Sequence, residues 1–389
     1  MGLSGTKVLE EPPVADHFSL GHRQAPCVGG RGSVGKRTSG GHCVEFTLER
    51  SRRVEQTLVE EVHRSAYVAD GHADSLMWNR DLSVRSERGN VDFPRLREGG
   101  VRLQCFTLVT RGLPVIGGFP LLARWNGWPA EALRSERARA DWQIDQLERF
   151  CAMPESGAAI ARSAAELQAN LEAGRVSAVL GIEGAHALGK DLSQLESFYR
   201  RGVRFLSLTH LMHNEAGGSS FPLAKKGGLT GFGKEVLREM ARLRMAVDVA
   251  HASRALLDEV LGGPAPVFCS HTGVASATKL WRNLPDDAIR AIASRGGLVC
   301  VIFAVEFLGG RTLDDLSRHL LRALEVAGED HVGLGSDFDG MVRLPRPMRD
   351  ARDLPLVTRA LLERGVERRV IHKVLGGNLR RFLEAGPLA

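Results

Sequence analysis

Four histidines and three acids stand where apolar runs of this sequence end. The run SAYVADGH (65 to 72) ends in His72, with Asp74 two residues on. VSAVLGIEG (176 to 184) ends around Glu183, VRFLSLTH (203 to 210) at His210 and MAVDVAH (245 to 251) at His251. APVFCSHT (265 to 272) carries His271 near its end, and HVGLGSDF (331 to 338) carries Asp337. A buried charge costs several kcal/mol unless it is paired or metal-bound. One terminal histidine could be a satisfied polar residue at a strand end; seven such groups on six runs share that position too regularly for this account. Imidazole and carboxylate together suit zinc or a similar divalent transition metal. There are more donors than one tetrahedral ion can use, whereas a carboxylate bridging two ions employs them. Such a pair activates a water and stabilises a developing oxyanion. No thiolate is present, which argues against a closed structural zinc.

The elements that must position these groups follow from the rhythm of the chain. VRLQCFTLV (101 to 109) and GGLVCVIF (296 to 303) bring the apolar, β-branched-rich runs to eight, each separated from the next by amphipathic helical stretches. Near-continuous apolar strands alternating with helices make a parallel sheet covered on both faces. Eight such units predict an α/β fold, a closed (β/α)8 TIM-like barrel, with the active site at the C-terminal ends of the strands. In that fold the seven groups meet in one bowl. A doubly wound open sheet is the alternative, but its G-x-G-x-x-G fingerprint after a first strand is absent. GGLTGFGK (227 to 234) precedes a helix without a strand before it and reads as a loop. A helical pattern runs from about 52 to 65. A long charged helical stretch, 130 to 172, separates the second and third runs. Trp125, Trp128 and Trp142 belong to that region and are read as packing on the outer ring of helices.

The chain of 389 residues suits such a barrel with an appendage. Residues 1–50, rich in Gly, Ser and Arg and without periodicity, read as a flexible extension, and 51–389 as the barrel domain. The net charge is +6; residues 1 to 53 hold eight Lys or Arg against five Asp or Glu, half of that excess. The remaining basic residues interleave with acids along helices, so no nucleic-acid partner is expected. No run of about 18 apolar residues and no basic-then-apolar leader is present, so neither a membrane span nor a secretory signal is expected. The six cysteines (27, 43, 105, 151, 269 and 300) form no CxxC pair, and Cys105, Cys269 and Cys300 read as small core residues of a reducing cytoplasm.

Of the other histidines, His186 and His213 fall in loops near the bowl, His331 at the wrong end of its strand, and His63, His319 and His372 on helices, where they are expected to face solvent. Arg282, in TKLWRNLPDD, follows the sixth run; it could grip an acidic end of a substrate or belong to a surface loop.

From about Ala66 to Arg381 the chain resembles the membrane (renal) dipeptidase family of zinc metallopeptidases, a branch of the amidohydrolase-like barrels. The resemblance is carried by DGHADSL, GIEGAHAL, GVRFLSLTH, GLTGFGKEVLREMARLRMAVDVAHAS, SHTGVASATKLWRNLPDDAIRAIASRGG, HVGLGSDFDG and GGNLRRF. It implies two Zn2+ ions, one held by His72 and Asp74 and the other by His251 and His271, with Glu183 bridging. It also implies that His210 polarises the scissile carbonyl, that Arg282 holds the substrate carboxylate, and that Asp337, rather than Asp339, is the acid/base. Departures are small. The usual DGHND is DGHAD, with Ala73 at a non-ligand position, and His213 with Asn214 stands where many members have Asn after the fourth-strand His. The mammalian disulfide cysteines, signal peptide and anchor signal are absent, which points away from membrane attachment. The expected activity is hydrolysis of dipeptides, including those with a C-terminal D-residue, by a homodimer. A binuclear amidohydrolase acting on an N-acyl amino acid or a lactam is the alternative, and a non-catalytic metal-binding scaffold a further one.

Overall fold

The computed structural model describes residues 54–112 and 118–389. The extension read at residues 1–50, with Cys27 and Cys43, lies outside them. The strands are β1 (Val68–Ala73), β2 (Val101–Val109), β3 (Ala158–Ile160), β4 (Val176–Glu183), β5 (Val203–Ser207), β6 (Ala246–Asp248), β7 (Val267–Thr272), β8 (Leu298–Val301) and β9 (Val332–Leu334). All pairings between them are parallel. Eight of them close into a ring, β1-β2-β4-β5-β6-β7-β8-β9 and back to β1, and these eight are the expected runs.

The ninth strand corrects the sequence reading. The stretch 130 to 172 is not one helix: it breaks into helices Glu136–Ala152 and Ala164–Glu172, with β3 between them. Pro154 and Gly157, the latter at φ +59°, end the first helix, and the Ser163 hydroxyl accepts from the Glu166 amide at 3.2 Å to start the second. β3 pairs with the first residues of β4, from Val176 to Ala178, where β5 does not reach; β5 joins β4 only from Leu180 onward.

Helices begin where the chain supplies an oxygen for free amides. Ser135, Thr230 and Ser253 each accept from the backbone N–H three residues on, at 3.0 to 3.1 Å, and Thr312 with Asp315 forms a capping box. The Ser253 cap starts its helix two residues after His251, which keeps that loop short.

Strand side chains alternate between two apolar layers. On β2, Leu103 and Cys105 join one cluster and Phe106 and Leu108 the other. The first cluster is closed by the C-terminal helix Asn378–Ala385, whose Phe382 stacks on Phe268 at 5.6 Å, with Phe205 edge-on to Phe268 at 5.4 Å. This aromatic plug sits toward the N-terminal ends of the strands, leaving the opposite end for polar groups. Burying each ring contributes roughly 2–3 kcal/mol. Among the described residues no helix is long and apolar enough to cross a membrane.

Two histidines expected at the surface are buried. His63 bonds the Thr358 hydroxyl at 2.7 Å and the Gly99 carbonyl at 2.9 Å. His319, with 0% of its surface exposed, accepts from the Val274 amide at 2.9 Å and lies 3.2 Å from the Leu308 carbonyl. Both fall on the apolar stripes of their helices, beside Val59 and Val62 and beside Leu316 and Leu320, a placement that helix membership alone did not reveal. His372 is half-buried, its Nε2 3.2 Å from the Val62 carbonyl. His331 bonds the Gly297 carbonyl at 2.8 Å, in the structural role expected of it.

Burial pushes the His319 imidazole down from 6.5 to about 4, against the opposing pull of the Leu308 carbonyl. Between those values the unfolded chain binds a proton that the folded chain excludes. The stability contributed by neutral His319 is therefore complete above 6.5 and lost as the pH falls toward 4. Urea unfolding at about pH 7 and about pH 5 will show this residue costing up to ~1.4 kcal/mol per pH unit on acidification. His319→Gln will lose less over the same interval; equal losses would remove His319 as the cause.

Candidate metal centre

The C-terminal ends of the ring strands bring the seven groups together. His72 lies in β1, with Asp74 just past it; Glu183 ends β4 and His271 lies in β7. His210, His251 and Asp337 each stand three residues beyond β5, β6 and β9, in the loops that leave the barrel. Glu183 is the hub. Its Oε1 is 3.0 Å from His251 Nε2, 3.6 Å from His271 Nε2 and 3.7 Å from His72 Nε2, and its Oε2 is 3.3 Å from His210 Nε2. His72 Nε2 is also 3.4 Å from Asp74 Oδ1 and 4.0 Å from Asp337 Oδ1. All but the half-buried His210 are 7% exposed or less.

Behind the ligating atoms stands a layer that sequence reading missed. The Ser270 hydroxyl donates to Asp248 Oδ2 at 2.7 Å. The same oxygen lies 3.0 Å from His72 Nδ1 and 2.8 Å from His271 Nδ1. Its one proton is committed to the carboxylate, so toward both rings it can only accept. Both Nδ1 atoms therefore carry hydrogen, and it is the Nε2 atom of each ring that faces Glu183. Asp248 is held by three further donors, the Ser207 hydroxyl at 2.7 Å and the Ala250 and Ser270 amides at 3.0 Å. Asp70 plays a parallel part between β1 and β9, taking Gln104 at 2.7 Å, the Ser336 amide at 2.7 Å and the Ser336 hydroxyl at 2.6 Å. Thr107 donates to Asp74 Oδ1 at 2.5 Å. A signal existed for two of these residues: Asp70 and Asp248 are acids inside apolar runs, two and three positions before a strand-end histidine.

The electrostatics favour cations. His251 Nε2 and His271 Nε2 face each other at 3.1 Å, Glu183 Oε2 has no hydrogen-bond partner, and neither does His251 Nδ1. Burial, then Arg282 and the neighbouring imidazoles, hold His251 well below the usual histidine range; burial, then His72 and Arg282, do the same to His271. Burial alone would lower His72 as well, but Asp74, Glu183 and Asp337 around it push it up to about 10. Burial raises Asp337 well above the carboxylate range, with Asp74 and Glu183 adding to the effect. Three buried acids are thus gathered around Arg282 and His72, whose imidazole they hold in its charged form. Three overlapping sets of donor atoms lie within 4.8 Å of one another: His72, Asp74, Glu183; Glu183, His251, His271; and His72, His271, Asp337. A nitrogen and oxygen set without thiolate suits divalent transition metals.

Arg282 is 3% exposed, so the surface-loop alternative fails. Its Nη2 donates to the His271 carbonyl at 2.8 Å, while its Nη1 is buried without a partner. Asp337 has φ +62°, and a Cβ on Gly340 would fall 2.0 Å from its carboxylate oxygen, so the acid's position depends on that glycine. Asp339 is used otherwise: it accepts from Ser75 at 2.6 Å and the Asn90 amide at 2.7 Å and pairs with Arg80. His213 accepts from the Lys225 amide at 3.2 Å. His186 is buried, and burial with nearby Arg111 and His210 holds it well below the usual range; neither of these two histidines lines the bowl.

The bowl is a cavity of about 510 Å³ whose floor includes Asp74, Glu183, His210, His251, His271, Arg282 and Asp337. Of the tryptophans expected on the outer ring, Trp128 and Trp142 pack together at 4.1 Å, but Trp125 stands on the cavity rim. It ends the helix Gly118–Trp125, which is followed by a sharp turn at Gly127 that carries the chain away and leaves the ring uncovered.

Residues 56–386 match the family model of membrane dipeptidase, peptidase family M19. A dipeptidase of Aspergillus oryzae, aclJ, is 32% identical over 346 residues, covering 84% of this chain and 79% of the relative. Among solved structures, a metallo peptidase of Rhodobacter sphaeroides carrying a phosphinate mimic of L-Ala-D-Ala aligns with TM-score 0.68 and 27% identity, over 82% of this chain and 99% of that one. An amidohydrolase of Pseudomonas aeruginosa aligns with TM-score 0.69 and 26% identity, over 84% and 98%.

Removing the shared hydroxyl should free both rings. Ser270→Ala is expected to weaken divalent-metal binding by roughly 10- to 100-fold, measured by titrating the metal-stripped protein against a chelating competitor. Unchanged affinity would reduce Ser270 to a packing residue.

Proposed function

The chain belongs to the membrane dipeptidase family, peptidase family M19, whose members are metal-dependent hydrolases of peptide bonds, and from that premise we propose a dipeptidase working with two zinc ions. One observation carries the reading: side chains from separate segments of the barrel converge on Glu183 with their Nε2 atoms turned inward. His72 and Asp74 would hold one ion, His251 and His271 the other, with Glu183 between them. When bound, the metal pair lowers the pKa of a water and stabilises negative charge on the carbonyl oxygen.

The chain's own residues do the rest. Asp337 faces the cluster from the β9 loop, and its raised affinity for a proton suits a group that takes one from water and delivers it to the leaving amine. His210 donates Nδ1–H to the Arg111 carbonyl at 3.0 Å, since that oxygen can only accept. Its Nε2 therefore donates to a substrate oxygen only when the ring carries a second proton, as an imidazolium beside Glu183 Oε2. In that state it stabilises the oxyanion, and loss of one such donor costs roughly 10²–10³ in rate. Arg282, with Nη1 unpartnered at the cavity wall, would bind the free carboxylate one residue beyond the scissile bond and so limit substrates to two residues. The phosphinate dipeptide mimic in the Rhodobacter relative supports a dipeptide here and acceptance of a C-terminal D-residue.

Two outcomes are expected. An amidated dipeptide will be cleaved roughly 10²-fold or more slowly than the free acid, because it leaves a buried guanidinium unpaired; equal kcat/KM for the two would remove Arg282 from this role. Asp337→Asn will keep its zinc by metal analysis and lose roughly 10²–10⁴ in kcat. Loss of bound zinc instead would make Asp337 a ligand.

A further inference from the structure

The cavity has two kinds of lining. Seven titratable groups form its floor, and each belongs to the centre described above. Every other lining side chain among the described residues is apolar, glycines aside: no Ser, Thr, Asn, Gln, Tyr or Lys contributes. The apolar wall comes from distant parts of the chain. Phe119 and Leu122 lie on the helix Gly118–Trp125, Ile302 follows β8, and Met341 follows β9. The wall also continues outward at a cost to solubility. Trp125 is 79% exposed, Met341 68% and Trp281 41%, and all three line this one cavity. Large exposed apolar side chains gathered round a single opening mark a binding surface rather than chance. Trp281 is braced there by Phe221 at 5.5 Å and Phe307 at 5.8 Å, next in sequence to Arg282.

We propose that the preferred substrates are dipeptides with large apolar or aromatic side chains at both positions. This rests on the dipeptidase reading and narrows it. The scissile carbonyl and the C-terminal carboxylate of a dipeptide have partners on the floor; its side chains meet only hydrocarbon and aromatic faces. A polar or charged side chain gives up its hydration there with nothing to replace it. An apolar one gains roughly ten- to hundredfold in binding for each large group removed from water. Small side chains leave most of the 510 Å³ unfilled. Leucine and asparagine have nearly the same shape, so exchanging one for the other isolates polarity from size.

The test is kcat/KM of the zinc-loaded full chain for Leu-Leu, Asn-Asn, Gly-Gly and Leu-Lys. Leu-Leu is expected to exceed Asn-Asn and Gly-Gly by roughly tenfold or more, and Leu-Lys by a similar margin. Asn-Asn equal to or better than Leu-Leu overturns the proposal while leaving the dipeptidase reading intact. No hydrolysis of any of the four overturns both. Met341→Glu, at an exposed position, places a charge on the wall; the ratio of Leu-Lys to Leu-Leu should rise roughly tenfold. An unchanged ratio would show that substrate side chains do not reach this wall.

Discussion

The organisation of this molecule depends on the unfavourable gathering of buried acids around Glu183. Asp74, Glu183 and Asp337 lie together with 7% exposure or less, and Arg282 is their one permanent countercharge. Carboxylates out of water repel one another and lose hydration. Of the ligand imidazoles only His72 is held charged by these acids; burial keeps His251 and His271 neutral, so they offset nothing. The arrangement is satisfied by divalent cations, and the barrel serves to make any other relaxation difficult. The histidines and acids are fixed to six of the ring strands or to the loops just beyond them, and the closed ring prevents those strands from separating.

That rigidity is organised in layers along the barrel axis. At the N-terminal ends, Phe205, Phe268 and Phe382 seal the interior with aromatic contacts. Nearer the centre, Asp70 and Asp248 tie β1 to β9 and β6 to β7 through serine hydroxyls and amides. These acids are never free to turn toward the metal centre, because their oxygens are occupied. Above them sit the inward-facing Nε2 atoms, and above those the apolar bowl. Each layer limits the motion of the next, so the catalytic geometry is inherited from the packing beneath it.

Much of this could be read from the chain. The eight ring strands were visible as apolar runs, and the four histidines and three acids from His72 to Asp337 as their polar endings, because burial of a charge at a repeated topological position has few explanations. What escaped reading depends on partners distant in sequence. Ser270 is one serine among many until Asp248 and two imidazoles are placed beside it. β3 is three residues long and has no periodicity to announce it. His63 and His319 sit on helices, and only the neighbouring Thr358, Gly99 and Val274 decide that they face inward. Trp125 resembles Trp128 in sequence, yet a turn at Gly127 sends the two rings to opposite fates. Side chains whose role is set by one local pattern were legible; those whose role is a relation between segments were not.

The hydroxyl shared by His72 and His271 also limits how the protein can vary. A replacement at position 270 that removes the hydroxyl takes the Nδ1 acceptor from both rings at once. Lineages adapting this bowl to new substrates are therefore free to remodel its rim, residue by residue, while the support under the two imidazoles must be inherited whole or abandoned.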